Sequence, residues 1–557
     1  MAARAADGAV VPPPAVPSWL AATTAAVVTG AVYLPTLGHG FVWDDGVNLV
    51  GNPAYRGLGW AQLRWMFSTL LHGHYIPLTW LTFGLDYLVW GLNPVGYHLT
   101  NVVLQAAAAA AYCAVAERLL ARATTLAATP RVMGALVGAL FFAIHPLRVE
   151  SVAWVTERRD VLSGLLLLLT ILGYLAATDA SGRRRRRLLA ISVGCYLLAL
   201  AAKSIVMTLP AVLVLLDVYP GRRLPDADGR WFGPATRAVW LEKVPYGLLA
   251  AVGALVSHHA IGTLEGLGAY PWATRVLTAF YGLWFYLVRT AAPVGLSPVY
   301  EIPVPASAAD PRFLASILGV LGVTAGTLLL RRRWPAGLAV WVYCVVVASP
   351  VLGLVARSGF KLAADRYSYL PALGLSLLVA GGAGRLAALA VRREGRPAWA
   401  PWAVGATVIG LLGLGGLTWQ QSRIWRSDET LWRHAVATTP VCAVCHHNLA
   451  TVLIARGELV SALDHLDQAL AIRPGRLEAH GSVRGVVLEQ LGRWPEAVAQ
   501  YERVLARHPD APARVRLGLI RGYLALGEPG RAREEYRRLK ATAPELARPL
   551  ASAFPGD

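Results

Sequence analysis

About a dozen apolar runs, each roughly 15–25 residues long, fill this chain as far as residue 420 or so, and they decide what it can fold into. A membrane-crossing helix needs ~20 mostly apolar residues. In lipid every backbone polar group must be satisfied internally, so such runs must become helices. They lie near 18–37, 97–121, 132–147, 161–178, 188–202, 205–219, 239–258, 272–292, 313–330, 335–356, 367–390 and 401–420. Only 15% of the 557 residues are charged, against about 25% in soluble chains. That deficit excludes an ordinary soluble protein and a disordered one. The net charge of +19 could suggest nucleic acid, but Arg183 to Arg187, Arg331 to Arg333, Arg392 and Arg393 sit between apolar runs. Membrane topology explains them better, and no nucleic-acid partner is expected. The five cysteines are scattered and make no disulfide framework.

The first run is too long for a removable signal peptide and reads as an anchor. Positive-inside bookkeeping places Arg118, Arg122, Arg131 and Arg183 to Arg187 in the cytoplasm, with the loops at 38–96 and 145–160 outside. Counting back from Arg331 to Arg333 and Arg392, the loops at 293–312 and 357–366 and everything after 421 also face out. Twelve crossings break this parity, so about eleven are expected, with one segment between 188 and 292 failing to cross. The organisation expected is a tail at 1–17, a membrane domain at 18–421, a connector at 422–440, a repeat domain at 441–545 and a tail at 546–557.

The polar part is self-similar. Gly457, Gly492 and Gly527 lie 35 residues apart, as do Ala462, Ala497 and Ala532, and Leu466, Tyr501 and Tyr536, with Pro474, Pro509 and Pro544 closing each unit. This is the tetratricopeptide pattern, whose helix pairs bury their apolar faces only by stacking. The chain is therefore all-α, a multispanning helix bundle followed by an α-solenoid of three repeats. Such an array either offers a groove to a partner or caps the membrane domain.

Ionisable groups at a membrane boundary are functional candidates. The first outer loop opens with Trp43-Asp44-Asp45. Adjacent carboxylates repel, which raises one pKa and suits a base, a metal ligand or a cation's partner. A solvated pair at a helix start is the plainer alternative. Of the two, Asp45 is expected to be the less exposed. His98 and Asn101 share a helix face. The second outer loop carries His145, Arg148, Glu150, Glu157, Arg158, Arg159 and Asp160, and three outside arginines run against the positive-inside trend. Lys203 and Asp365-Arg366-Tyr367 mark two further outer boundaries. Basic groups converging from separate loops make an anion site, so Arg158, Arg159, Lys203 and Arg366 are expected around one cavity, with His98, His145 and Glu150 lining it.

The segments Trp43-Asp44-Asp45, Pro77-Leu78-Thr79-Trp80, Gly91-Leu92-Asn93-Pro94, His98-Leu99-Thr100-Asn101, His145-Pro146-Leu147-Arg148-Val149-Glu150-Ser151 and Asp365-Arg366-Tyr367-Ser368-Tyr369-Leu370-Pro371 occur in that order, followed by the repeats. In this the chain, over about 18–545, resembles bacterial relatives of the transmembrane and tetratricopeptide-repeat O-mannosyltransferases. The resemblance implies a GT-C glycosyltransferase in a bacterial inner membrane, with eleven spans and extracytoplasmic repeats. It also implies a polyprenyl-phosphate-linked sugar as donor, a protein or glycan acceptor, and a catalytic carboxylate at Asp44 or Asp45. Lys203-Ser204 stands where relatives often have Lys-Pro or Lys-Glu, and three repeats are fewer than others carry.

The chemistry then asks for a base to take the acceptor's proton and for cations on the departing phosphate. A divalent cation beside the acids stays open. The rival is a non-catalytic membrane scaffold whose repeats recruit partners. A transporter would need an inverted repeat or midplane charges, and neither stands out. Cys442-Ala443-Val444-Cys445-His446 has the c-type haem attachment spacing, but it falls in the first repeat helix, where packing leaves little room for haem, so free or packed thiols are expected ahead of a local disulfide, and either ahead of haem. The topology is checked by cysteine-accessibility labelling in intact cells: a probe at Gly492 is expected to react and one at Arg185 to be protected, and the reverse would refute it.

Overall fold

The computed structural model describes residues 16–262, 270–303, 306–354, 361–392 and 395–555. The expected N-terminal tail lies outside these up to residue 15, as does Arg393. All twelve apolar runs become helices. In chain order the helices of the apolar part are α1 (Ser18–Tyr33), α2 (Trp60–Ser68), α3 (Pro77–Trp90), α4 (Pro94–Ala123), α5 (Ala128–Ala143), α6 (Val149–Ala153), α7 (Arg158–Thr178) and α8 (Gly182–Ala202). They continue as α9 (Leu209–Val218), α10 (Pro234–Leu241), α11 (Val244–Gly262), α12 (Trp272–Ala291), α13 (Pro311–Leu329), α14 (Pro335–Ala348), α15 (Tyr369–Ala390) and α16 (Ala400–Ser422).

Among the described residues seven helices are long and apolar enough to cross a membrane, or eight if α5 and the segment Pro146–Ala153, bent from it by 56°, count as one span. Of the other four runs, α8 carries five arginines at its start and α12 carries Arg275 and Arg289. The helical stretches Ser204–Val218 and Pro335–Val351 are short. At 1.5 Å per residue neither reaches across a core of ~30 Å without help from its neighbours.

The chain divides into two compact units: Met1–Leu296, Val304–Gly359 and Ala363–Arg426 form one, and Ser297–Pro303, Phe360–Leu362 and Ser427–Asp557 the other. In the first, α5 packs closely against α15. The contact uses Gly134 and Gly138, a G-x-x-x-G pair, against Ser376, Ala380 and Gly384. Without large side chains in between, the two backbones approach closely, which is how membrane helices associate when no hydrophobic effect drives them together. A Cβ on Gly134 would lie 2.4 Å from the Ala380 carbonyl oxygen.

The second unit is the solenoid. After α17 (Asp428–Thr438), capped by Ser427, come three helix pairs: α18 (Ala443–Ala455) with α19 (Leu459–Ile472), α20 (Leu477–Gln490) with α21 (Trp494–Arg507), and α22 (Ala513–Ala525) with α23 (Pro529–Thr542). Gly457, Gly492 and Gly527 take φ of +77°, +71° and +74° at the turns inside each pair, a conformation that costs glycine little. Ala462, Ala497 and Ala532 are fully buried, and the Tyr501 ring packs on Gly485 and Gly518. Residues 428–438 of the expected connector are helical, and the expected C-terminal tail packs, with Phe554 stacked on Tyr536 at 4.5 Å.

A feature with no sequence signal also lies in this unit. Tyr300–Glu301 pairs as a short strand with Lys361–Ala363, and Glu301 caps the first repeat by accepting from the Ala443 N–H (2.7 Å) and pairing with Arg473 (2.8 Å).

Gly134→Val is expected to lower the unfolding temperature of the detergent-purified protein by forcing α5 off α15, at a cost of about 1–3 kcal/mol or more. Gly182→Ala, in open surroundings at the start of α8, provides a comparison in which only the backbone conformation is perturbed. Equal melting of wild type and Gly134→Val would contradict this packing.

Candidate functional site

The segment 144–160 organises the site. His145 caps the turn Pro146–Arg148 by accepting from the Leu147 N–H, α6 follows, and Trp154 breaks the chain before α7 begins at Arg158. This folding buries a polar stretch that would otherwise face solvent. Glu157 has no exposure, and three cations from three stretches of chain close on it. Arg159, in the first turn of α7, contacts it at 2.5 and 3.0 Å; Lys203, at the end of α8, at 2.9 Å; Arg366, in the turn Asp365–Ser368, at 3.1 Å. Lys203 also reaches Asp160 (2.6 Å), and Arg366 is gripped by Glu150, which accepts both from its backbone N–H (2.8 Å) and from its guanidinium. Arg148, buried behind the cluster, donates to Ser368 and lies over Tyr369 at 5.4 Å.

The acidic loop is tied to the same segment. Asp45 is buried and accepts three hydrogen bonds: from the Thr156 N–H (2.8 Å), the Thr156 hydroxyl (2.6 Å) and the Val42 N–H (3.1 Å). Burial pushes its carboxyl up to about 7, against these hydrogen bonds, and Asp44 adds a smaller push. Asp44 itself is half-buried, and among the described residues no side chain or backbone N–H bonds its carboxylate. Trp43 has φ of +55°, rare for a bulky residue, and stacks parallel on Trp154 at 4.5 Å. Trp154 stacks in turn on Trp425 (5.6 Å), and the Arg366 guanidinium lies 5.5 Å from the Trp154 ring.

The structure thus brings together Glu150, Arg159, Lys203 and Arg366, and sets Asp44 and Asp45 beside them through Thr156 and Trp154. It does not bring in the other candidates. Arg158 turns the opposite way, to Asp86 (2.5 Å), Asn101 (2.7 Å) and the Tyr97 carbonyl (2.8 Å). Adjacent positions at a helix start point in different directions, and here Arg158 and Arg159 are engaged by different partners. His98 is buried with a ring nitrogen on the Gly40 carbonyl (3.3 Å), and His145 is held by the Thr290 carbonyl (3.1 Å) and by its own cap. Both histidines fasten loops rather than line the cluster.

Two residues carry no mark of their place in the sequence. Glu157 is one acid among several in the second outer loop, yet it is the centre of the cluster. His74, which follows the tight turn Leu71–Gly73, is crowded by protein while keeping access to solvent. Burial, then the charges of Arg159, Lys203 and Arg366, hold its imidazole well below the usual value, with Glu157 opposing. It stands neutral beside the cations at pH 7. Nothing in its spacing marked it.

Asp45 spends its oxygens on three protein donors, so the acidic pair does not present two convergent carboxylates to a cation. Among the described residues no group of three or more histidines, cysteines or acids is placed to hold a metal. Cys442 and Cys445 are bonded to each other and buried, and His446 contacts His465 (2.9 Å) and the Pro440 carbonyl (3.0 Å). Those partners occupy the groups that a covalent haem would require.

Tetratricopeptide-repeat family models match residues 442–473 and 488–552. Over about four fifths of its length the chain is similar to curated proteins. It is 28% identical to protein O-mannosyl-transferase TMTC1 of Homo sapiens over 82% of this chain and 56% of the relative. It is 25% identical to protein O-mannosyl-transferase Tmtc3 of Drosophila melanogaster (79% and 53%), and 27% to human TMTC4 (76% and 62%). The chain is a homologue of the TMTC proteins. It spans little more than half the length of TMTC1 and Tmtc3.

The raised Asp45 carboxyl has a measurable consequence. Between the ordinary carboxylate value and about 7 the folded protein keeps a proton that the unfolded chain has released, so this group makes stability fall as pH rises across that window. Asp45→Asn cannot titrate. Its melting temperature, recorded from pH 4.5 to 8, is expected to fall less steeply up to pH 7 than that of the wild type; parallel curves would contradict the assignment.

Proposed function

We propose that this protein is a membrane glycosyltransferase that moves a mannose or other hexose from a polyprenyl-phosphate donor to a hydroxyl group of an extracytoplasmic protein, inverting the anomeric centre. Similarity to proteins named O-mannosyl-transferases supports the sugar and the protein acceptor. The observation that carries the reading is the arrangement of Arg159, Lys203 and Arg366 around Glu157, one residue beyond the threonine that anchors the acidic loop.

The roles follow from what each group has left to give. Lys203 uses two of its three N–H donors on carboxylates, and Arg159 keeps donors beyond those on Glu157. These and the Arg366 fork receive the donor phosphate, while Glu150, Glu157 and Asp160 neutralise the cations and hold them in place when no donor is bound. Asp44, half-buried and without a hydrogen-bond partner for its carboxylate among the described residues, is the base; Asp45 is the anchor that fixes it. The acceptor oxygen bonds to the anomeric carbon as its proton passes to Asp44, and the bond from that carbon to the phosphate oxygen breaks, leaving its electron pair on the polyprenyl phosphate. Cations aimed at that oxygen stabilise it most as charge builds there. Neutral His74, on which the charges of the same three cations act, donates a hydrogen bond to that phosphate in this reading.

In this reading the arginine-rich loops are cytoplasmic, the site and the repeats face out from a bacterial inner membrane, and the repeats present the acceptor protein. The test is transfer from a panel of polyprenyl-phosphate sugars by the purified protein. Asp44→Asn should cut turnover about 10²–10⁴-fold, the usual worth of general-base catalysis, without changing the melting temperature. Wild-type rates in both Asp44→Asn and Asp45→Asn would overturn the mechanism. No transfer from any donor by well-folded wild type would favour a scaffold.

A further inference from the structure

A cavity lies in the membrane unit whose lining includes no residue of the acidic loop. It is a groove of about 550 Å³ bordered by α4, α7, α9, α14 and α15. Its inner end is closed by two tyrosines: Tyr112 donates to the Leu373 carbonyl (2.9 Å) and Tyr343 to the Leu370 carbonyl (3.0 Å). From there the groove follows α4 and α15, which run in the same direction, down to Thr124 and Arg385. Its walls are leucine, isoleucine, valine, alanine and glycine until Tyr219, Arg333 and Arg385 are reached. The segment from Leu373 to Arg385 rises about 18 Å at 1.5 Å per residue. That is close to the ~15 Å depth of one leaflet of a bilayer's hydrocarbon core.

Two features make this groove more than a gap between helices. Two of its walls are the short helices α9 and α14, which cannot fill a full bilayer thickness themselves. And its mouth carries two guanidinium groups that no carboxylate offsets: among the described residues, neither Arg333 nor Arg385 has an acid within ion-pair distance. This end coincides with the end of α4 and the start of α14, where the arginine-rich connections begin, so the cations stand at the membrane boundary. Trp334, partly exposed at the same level, suits the interfacial zone.

We propose that the groove is a binding site for one anionic phospholipid of the leaflet on the arginine-rich side, its phosphate between Arg333 and Arg385 and one acyl chain along α4 and α15 up to Tyr112. The depth argues for a phospholipid rather than the donor's polyprenyl chain, because the closed end stops the groove after one leaflet. The lipid fills the space that the two short helices leave.

Native mass spectrometry of the full-length, detergent-purified protein tests this, with phosphatidylglycerol and phosphatidylcholine as the probes. One phosphatidylglycerol should be retained at least tenfold more tightly than phosphatidylcholine. Arg333→Ala with Arg385→Ala should weaken it about thirtyfold, the loss expected for two basic groups at an anionic surface. Arg333→Lys with Arg385→Lys should keep it. Gly381→Phe, which fills the groove opposite Leu120 and leaves both charges in place, should expel it. Equal retention of the two lipids, wild-type binding by the double alanine variant or by Gly381→Phe, or displacement by equimolar polyprenyl phosphate would each overturn the proposal. Thermal melts of the variants separate lipid loss from misfolding.

Discussion

Glu157 is shut away from water, and the chain has to bring Arg159, Lys203 and Arg366 to it from three separate places. A lone carboxylate in that position would be prohibitively costly, since desolvating an ion costs several kcal/mol even after the protein relaxes. The position of the α8 end and of the turn before α15 relative to the α7 start is therefore not free. Each must deliver its cation, and Glu150 and Asp160 must in turn balance those cations. Buried ion clusters seldom add net stability over well-packed apolar residues. Under the proposed function this one is a preorganised set of N–H donors, kept in register by carboxylates until the donor phosphate arrives.

The acidic loop inherits that rigidity. Thr156 gives both its N–H and its hydroxyl to Asp45, and Glu157 is the next residue. Trp43 stacks on Trp154, over which Arg366 also lies. Trp43 holds a left-handed backbone conformation that a bulky residue adopts only when its surroundings compel it, and such strain gathers at functional sites. Three links thus fix the distance between the open carboxylate of Asp44 and the cations. In the proposed mechanism a base and a phosphate clamp act on opposite sides of one sugar and need that constancy, because small misplacements cost large factors in rate.

Buried position separates the two aspartates more than sequence does. They are neighbours with the same side chain, yet Asp45 is saturated with protein donors and Asp44 has none among the described residues. One stays put and the other remains available. The same division runs through the two outer-loop arginines: Arg158 braces α3 and α4 through Asp86 and Asn101, while Arg159 serves the cluster.

Much of this was legible in the chain itself. Apolar run length dictates membrane helices whatever their neighbours do, and the 35-residue period dictates stacked helix pairs, because both are local demands of backbone hydrogen bonding and apolar burial. The order of short polar motifs pointed to the TMTC relatives, and Asp44, Asp45, Lys203 and Arg366 stood out as charges interrupting apolar sequence. Pairing was beyond its reach. Nothing in the spacing of Glu157 marks it as the meeting point of groups 2, 46 and 209 residues away, nor Glu301 as the cap of a helix 142 residues later. Whether His98 and His145 line a cavity or fasten loops likewise depends on which carbonyl stands opposite each ring. Local sequence sets how a residue's own backbone is satisfied; which charge a buried side chain meets is settled only when distant segments are packed together, because desolvation makes any other arrangement too costly.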